Sequence, residues 1–126
     1  MADNNRIRLF IAENNDFLRD AFMIYFKEQA AIQVVGKAGD SGQTLSLCKQ
    51  LQPDVMLIDA RLRPMPIARL IQLLRENVAD MQIVVVVSME EEVPAKTLLE
   101  AGANEVVQGA FASDLLKIVQ KVSFKS

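Results

Sequence analysis

Polar side chains that suit a metal and phosphate site follow four of the apolar runs in this chain. They are Glu13 and Asn14, Asp59, Ser88 and Gln108. A carboxylate beside an acid–amide pair offers the oxygen ligands that Mg²⁺ prefers in proteins. A hydroxyl and an amide can donate hydrogen bonds to phosphoryl oxygens. Together these side chains predict an Mg²⁺ and phosphate site with Asp59 at its centre.

Each of these side chains also has an ordinary explanation when it is taken alone. Glu13 and Asn14 could solvate a turn and begin a helix, and Ser88 could be a helix N-cap. The triple acid at 90–92 precedes Pro94 at a predicted helix start, where interaction with the helix dipole explains it better than a metal site does. The convergence of polar groups at four strand ends favours the site.

Two hydrophobic periodicities alternate along the chain. Apolar runs rich in β-branched residues predict strands buried on both faces, at 7–12, 32–35, 55–58, 83–87 and 106–107. The segments between them have helical spacing, including 44–51 and 93–101. Five strand–helix pairs with short connections predict an α/β three-layer sandwich, a parallel sheet with helices on both faces. The carboxyl ends of its strands share one edge, where ligands bind.

Composition excludes several classes of protein. The 126 residues predict a single domain, 1–126, with a core of about 6–122. The net charge of -2 gives no basic surface, so we do not expect this domain to bind nucleic acid directly. Histidine is absent, which removes the usual general base and the commonest nitrogen ligand of metals. Conventional triad hydrolases and zinc enzymes are therefore not expected.

The sequence also bears on location. No stretch reaches the roughly twenty apolar residues that span a bilayer, and residues 1–5 lack the basic and apolar regions of a signal peptide. The single cysteine, Cys48, cannot form an internal disulfide. We therefore expect a cytoplasmic protein that has no membrane partner.

Several motifs of this chain occur in an order and spacing typical of a known family. They are IAENN at 11–15, VVG at 34–36, AGD at 38–40, QPDVMLID at 52–59, VVS at 86–88 and AGA at 101–103. From Ile7 to Val122 the chain resembles the receiver domain of two-component response regulators, especially receivers that precede helix-turn-helix DNA-binding domains. The resemblance implies a flavodoxin-like (βα)5 fold with strand order 2-1-3-4-5.

The resemblance also implies roles for the polar side chains. Asp59 would be the phospho-acceptor, taking a phosphoryl group from a histidine kinase or a phosphotransfer protein. Glu13, Asn14, Asp59 and the backbone carbonyl of Arg61 would hold Mg²⁺. Ser88 would move toward the attached phosphoryl group and repack the face built from the fourth helix, fifth strand and fifth helix. Such a domain is a phospho-acceptor capable of self-dephosphorylation and not a turnover enzyme.

Three departures from the family pattern predict an atypical site. Asn14 stands where receivers have a second acid, so Mg²⁺ binding should weaken. Gln108, or Gly109 if no residue is deleted, stands where they have a lysine, and Val106 replaces an aromatic. The lost acid and the lost lysine cancel in charge. We therefore hypothesise that Asn14 and Gln108 are a coupled exchange, in which an amide hydrogen bond replaces an ion pair.

Two functions are compatible with these residues. In the first, the chain is a phosphorylatable receiver that signals to a protein partner or to a C-terminal DNA-binding output domain. In the second, it is a pseudo-receiver, a protein-interaction module that works without phosphorylation. The first is favoured because Asp59, Glu13 and Ser88 are all present. A homodimer through the output face is permitted, although no residue requires one.

Overall fold

The structure is a computed structural model that describes residues 5–124. Five strands alternate with five helices: β1 (Ile7–Ala12), α1 (Asp16–Lys27), β2 (Ile32–Ala38), α2 (Ser41–Leu51), β3 (Val55–Asp59), α3 (Ile67–Asn77), β4 (Gln82–Val87), α4 (Ala95–Ala101), β5 (Glu105–Gln108) and α5 (Ala112–Ser123). Residues 1–4 and 125–126 lie outside the described residues. They include both ends of the predicted domain and most of the N-terminal stretch that lacks signal-peptide features.

The strands form one parallel sheet in the order β2-β1-β3-β4-β5. This confirms the predicted order and the flavodoxin-like architecture. In the pairing of β3 with β4, Asp59 lies opposite Val86, and in the pairing of β4 with β5, Val87 lies opposite Gln108. The carboxyl ends of the central strands therefore meet at one edge, as the parallel arrangement requires.

Helices cover both faces of the sheet because successive side chains of a strand point to opposite faces. On one face, Phe10 and Met56 pack with buried residues of α2, α3 and α4. On the other face, Leu9 and Leu57 pack with buried residues of α1 and α5. Apart from Arg8 and Gln82 near their amino ends, the three central strands are apolar until the carboxyl edge, where the polar side chains gather.

Several element boundaries differ from those predicted, and two of these differences have a clear physical reason. Strand β2 continues to Ala38 instead of ending at 35, because Gly36 pairs with Phe10 at a register shift of the ladder. A Cβ at Gly36 would lie 2.8 Å from Phe10 Cε2, so only glycine lets the two strands pair here without displacing the ring. Helix α4 begins at Ala95 instead of 93, since proline at 94 disfavours the helical conformation at the residue before it.

Among residues 5–124, no helix is both long and apolar enough to cross a bilayer.

Candidate functional site

Asp59 is the last residue of β3, and its side chain is only 5% exposed. Its Oδ1 accepts a hydrogen bond from the backbone N–H of Arg61 at 3.1 Å. Its Oδ2 is buried and, when Glu13 is ionised, has no hydrogen-bond donor within the described chain. A buried carboxylate oxygen without a donor is unusual in a folded protein because it loses its hydration without replacement. This oxygen is suited to a cation or to a new covalent bond.

Glu13 follows β1 and is 3% exposed. Its backbone N–H donates to Ala38 O at 3.0 Å, which continues the pairing with β2, and its Oε2 accepts from the backbone N–H of Asn15 at 3.0 Å. Asn15 is the N-cap of α1, and its side chain accepts from Leu18 N. The start of α1 therefore holds the Glu13 carboxylate beside Asp59.

The ionisation of Glu13 depends on its burial and on the neighbouring Asp59. Burial, together with a hydrogen bond that protonated Glu13 can donate to Asp59, raises the pKa of Glu13 from an ordinary 4.5 to about 7. The Asn15 N–H and the charge of Arg61 oppose this rise. Near neutral pH, Glu13 is thus divided between its neutral and ionised forms. A cation placed between the two carboxylates would favour the ionised form.

The donor set is smaller than three acids. Within residues 5–124, no group of three or more His, Cys, Asp or Glu side chains is close enough together to hold a metal ion. Glu13 and Asp59 supply two carboxylates, and one Asp59 oxygen is available. Such a pair fits a hard cation that keeps several waters, as Mg²⁺ does, when neutral oxygens complete the coordination.

The side chain of Arg61 lies between two acids. Its Nε is 3.8 Å from Asp59 Oδ1 and 3.7 Å from Glu91 Oε1. Glu91 in turn folds back the loop that joins β4 to α4, because its Oε1 accepts from Ser88 N at 2.9 Å while its own N–H donates to Ser88 O at 3.2 Å. Arg61 and Glu91 therefore connect the acid pair to the β4–α4 loop.

The dipole interpretation of the triple acid at 90–92 is wrong for Glu91. Helix α4 begins at Ala95 and has no acid in its first turn. Neither the Arg61 side chain nor Glu91 was identified from sequence as part of the site. The sequence of three consecutive acids does not indicate which one folds back. Arg61 and Glu91 become neighbours only because β3 and β4 pair in the sheet.

Gln108, at the end of β5, bonds to the same loop. Its Nε2 donates to the carbonyls of Ser88 at 3.1 Å, Met89 at 3.3 Å and Glu91 at 2.8 Å. No hydrogen bond to Asn14 occurs among the described residues, and Asn14 is exposed. The hypothesised amide hydrogen bond between Asn14 and Gln108 is therefore not formed.

Gly109, which follows Gln108, lies in a position that does not easily accept a lysine. Gly109 has φ 66°, a left-handed conformation that favours glycine. A Cβ there would lie 2.2 Å from Met89 Sδ, so the methionine would have to move as well. The alternative alignment, with Gly109 at the lysine place, thus also leaves this strand end without a cation.

Replacing Gln108 by alanine should loosen the β4–α4 loop. The change removes an amide that satisfies backbone carbonyls, with an expected cost of about 1–2 kcal/mol to the local structure. Amide hydrogen exchange of residues 88–92, followed by mass spectrometry, should become roughly 5- to 30-fold faster. Gln50→Ala, which removes an exposed glutamine of α2, is the matched control. Unchanged exchange in Gln108→Ala would show that these bonds do not hold the loop.

A cavity of about 260 Å³ brings most of the predicted site together. Its lining includes Glu13, Asp59, Arg61 and Ser88, and apolar side chains such as Phe111 complete it. Asn14 and Gln108 are not part of this lining. The structure thus unites two acids, Ser88 and an arginine, and places the side chains of Asn14 and Gln108 outside.

A larger cavity of about 580 Å³ lies at the opposite edge of the sheet, where Asp54 precedes β3. Asp54 Oδ2 accepts from the backbone N–H of Arg8 at 2.9 Å, and thus helps to join the first and third strands. The amino edge of a parallel sheet is not the edge where ligands usually bind. The smaller cavity is therefore the candidate site.

Comparison with known proteins identifies relatives that are similar in sequence over most of this chain. Response regulator GacA of Pseudomonas aeruginosa is 26% identical over 117 residues, covering 92% of this chain and 55% of GacA. Transcriptional regulatory protein LiaR of Bacillus subtilis is 26% identical over 97 residues, covering 77% of this chain and 46% of LiaR. The chain thus spans about half the length of these relatives.

Solved structures share the fold. The signal receiver domain of NarL from Mycobacterium tuberculosis superposes with a TM-score of 0.87 at 20% identity, covering 97% of this chain and 99% of that domain. A family model, the response regulator receiver domain, matches residues 9–121. This match covers most of the chain, including both acids and the loops that carry Arg61 and Ser88. The chain belongs to the response regulator receiver domain family of two-component systems.

Proposed function

We propose that Asp59 accepts a phosphoryl group and that residues 6–122 form a single receiver domain. The observation that carries the proposal is the Asp59 Oδ2 atom, which lacks a hydrogen-bond donor although it is buried at the strand edge beside Glu13. Both carboxylates line the cavity at this edge, through which a donor could approach them. A purely structural aspartate would be expected to have both oxygens satisfied.

The proposed reaction is a single phosphoryl transfer. A carboxylate oxygen of Asp59 forms a bond to the phosphorus of a phosphohistidine, and the phosphorus–nitrogen bond breaks with its electron pair remaining on the imidazole nitrogen. The donor is a histidine kinase or a phosphotransfer protein. Water later hydrolyses the acyl phosphate, which returns the carboxylate and releases phosphate. The domain is accordingly a phospho-acceptor and not a turnover enzyme.

Mg²⁺ is the proposed cofactor. Glu13 and Asp59 would hold it through carboxylate oxygens, with the Arg61 backbone carbonyl and the neutral Asn14 as further oxygen ligands. When bound, Mg²⁺ neutralises charge that the carboxylates and the phosphoryl oxygens share. Because only two acids contribute and Asn14 is exposed, we propose that binding is weak.

The output is proposed to run through Ser88. Ser88 lies in the wall of the cavity, and its backbone is hydrogen-bonded to the side chains of Glu91 and Gln108. A shift of this loop would repack the face formed by α4, β5 and α5. The receiver would then act on a separate protein, on a second copy of itself or on a DNA-binding domain that continues the chain. The last option is supported by the greater length of LiaR, a transcriptional regulatory protein. We propose the cytoplasm as the setting, since the single free cysteine, Cys48, fits a reducing compartment.

Intact-mass measurement with a small phosphodonor and Mg²⁺ tests the proposal. Wild-type protein should gain the mass of one phosphoryl group, and Asp59→Asn should gain none because its amide is not a nucleophile. Asp54→Asn is the matched control: it changes an aspartate at the opposite end of the same strand and should be labelled like wild type.

A wild-type protein that stays unlabelled, while an ordinary receiver is labelled under the same conditions, would contradict phospho-acceptance. The domain would then be a phosphorylation-independent interaction module.

A further inference from the structure

Arg61 places a positive charge close to Asp59, whereas the end of β5 supplies none. Gln108 is neutral and its amide is bonded to loop carbonyls. Gly109 is confined by its positive φ and by Met89. Among the described residues, the cationic side chain within 4 Å of Asp59 is Arg61.

The guanidinium of Arg61 is shared between two carboxylates at nearly equal distances. Its Nε lies 3.8 Å from Asp59 Oδ1 and 3.7 Å from Glu91 Oε1. Both separations exceed ordinary charge-assisted hydrogen-bond lengths, about 2.7–2.9 Å. The Arg61 side chain is 48% exposed, so it is free to change partner, whereas Asp59 is buried. A small change in the charge of either acid would therefore decide which of them the guanidinium binds.

Phosphorylation of Asp59 is such a change. A phosphoryl group brings up to about two negative charges and several acceptor oxygens in place of a single carboxylate charge. A planar guanidinium can bind two phosphoryl oxygens at once. Its present distance from Glu91 is too long for a comparable pair of hydrogen bonds to that carboxylate. The balance thus moves from Glu91 toward the phosphorylated side chain.

We propose that Arg61 supplies the cation for the phosphoryl group on Asp59 and that, in binding it, Arg61 leaves Glu91 and so reports phosphorylation to the β4–α4 loop. This inference rests on the proposed function of Asp59. Without Arg61, Glu91 has only the Ser88 N–H as a partner on this side of the loop. Glu91 then turns toward solvent, and the backbone of Ser88 is released to follow its hydroxyl toward the phosphoryl group.

In this proposal, Arg61 takes the place of a lysine at the end of β5. The positive charge is supplied from the loop after β3, two residues beyond Asp59. Gln108 meanwhile holds the loop through its carbonyls. Arg61 would thus neutralise the phosphoryl group, while Gln108 binds the loop.

The test compares labelling of Arg61 variants with a matched arginine. Arg61→Met removes the charge and keeps much of the stem, Arg61→Lys keeps the charge, and Arg69→Met removes an exposed arginine of α3. We expect Arg61→Met to gain phosphate roughly 10-fold more slowly than wild type, Arg61→Lys to recover part of the rate, and Arg69→Met to match wild type. Thermal melts of all variants check folding.

Two nuclear magnetic resonance signals provide a readout apart from labelling rate. The Arg61 Nε–H signal, assigned by its loss in Arg61→Met, should move in Glu91→Gln without metal or phosphate, because the pair in the resting state is broken. In wild type, phosphorylation should move both this signal and the Ser88 amide. In Arg61→Met that has been labelled to completion, the Ser88 amide should move much less.

Equal labelling of Arg61→Met and Arg69→Met would overturn this inference and leave phospho-acceptance by Asp59 intact. An unchanged Ser88 response in labelled Arg61→Met would also overturn it, since the loop would then sense phosphate by another route. Failure of wild type itself to label would remove both proposals and is recognised before any arginine variant is compared.

Discussion

Glu13→Gln is expected to stabilise the metal-free domain above pH 7 by up to about 3 kcal/mol, the equivalent of a pKa rise from 4.5 to about 7. The folded state binds the Glu13 proton more tightly than the unfolded state does. Wild-type stability should therefore be highest below pH 4.5 as far as this group is concerned, fall as the pH rises toward 7, and stay at the lower level above it. Glutamine can still accept from Asn15 N and does not ionise, so the variant should lack this fall.

Urea unfolding in a chelator-containing buffer, repeated across this pH range, measures the difference. Glu90→Gln, which removes an exposed carboxylate of the β4–α4 loop, is the matched control and should follow the wild-type curve. If the free energies of unfolding of wild type and Glu13→Gln had the same pH dependence, burial would not destabilise the ionised form of Glu13.

Adding Mg²⁺ should narrow the difference in stability between wild type and Glu13→Gln. A ligand that binds only the folded state stabilises it in proportion to its affinity, and the wild-type pair offers two carboxylates where the variant offers one. At a pH well above 7, saturating Mg²⁺ should thus raise the free energy of unfolding of the wild type and change that of Glu13→Gln much less. Equal responses would remove Glu13 from the proposed ligands.

Most of the fold was predictable because the central strands are buried on both faces. A run such as VMLID, apolar until its last residue, has few structural alternatives to a central parallel strand with a polar end. Strand β2 was harder, since Gly36 interrupts its apolar pattern for a reason that lies in another strand. The Phe10 ring occupies the space that a side chain at Gly36 would need.

The acids of the site were predictable for the same reason, and the loop contacts were not. Strand ends of a parallel sheet converge, so Glu13, Asp59 and Ser88 had to approach one another. The contact between Arg61 and Glu91 depends on how two loops fold, and neither loop has a periodic pattern. Asn14 is adjacent in sequence to Glu13, yet its side chain is exposed where the chain bends to begin α1.

Phe10→Ala is expected to lower the free energy of unfolding by about 3–5 kcal/mol, a large share of the stability of a typical domain. The ring is fully buried on β1 and is part of the core that α2, α3 and α4 cover, so its removal leaves a cavity three residues before Glu13. Phe17→Ala makes the same substitution at a side chain that is 85% exposed and should change stability by less than about 0.5 kcal/mol. Equal urea midpoints for the two variants would contradict this account of the core.

The contact between Phe10 and Gly36 makes the same prediction testable by a double-mutant cycle. In wild type, Gly36→Ala would place a methyl group 2.8 Å from Phe10 Cε2 and should cost about 1–3 kcal/mol through overpacking. In the Phe10→Ala background that overlap is gone, and the flexible end of Leu51 is the neighbour that has to move. Gly36→Ala should then cost less, or even restore stability by filling the cavity. Additive costs would show that the ring does not set the requirement for glycine, and that β2 departs from its predicted end for another reason.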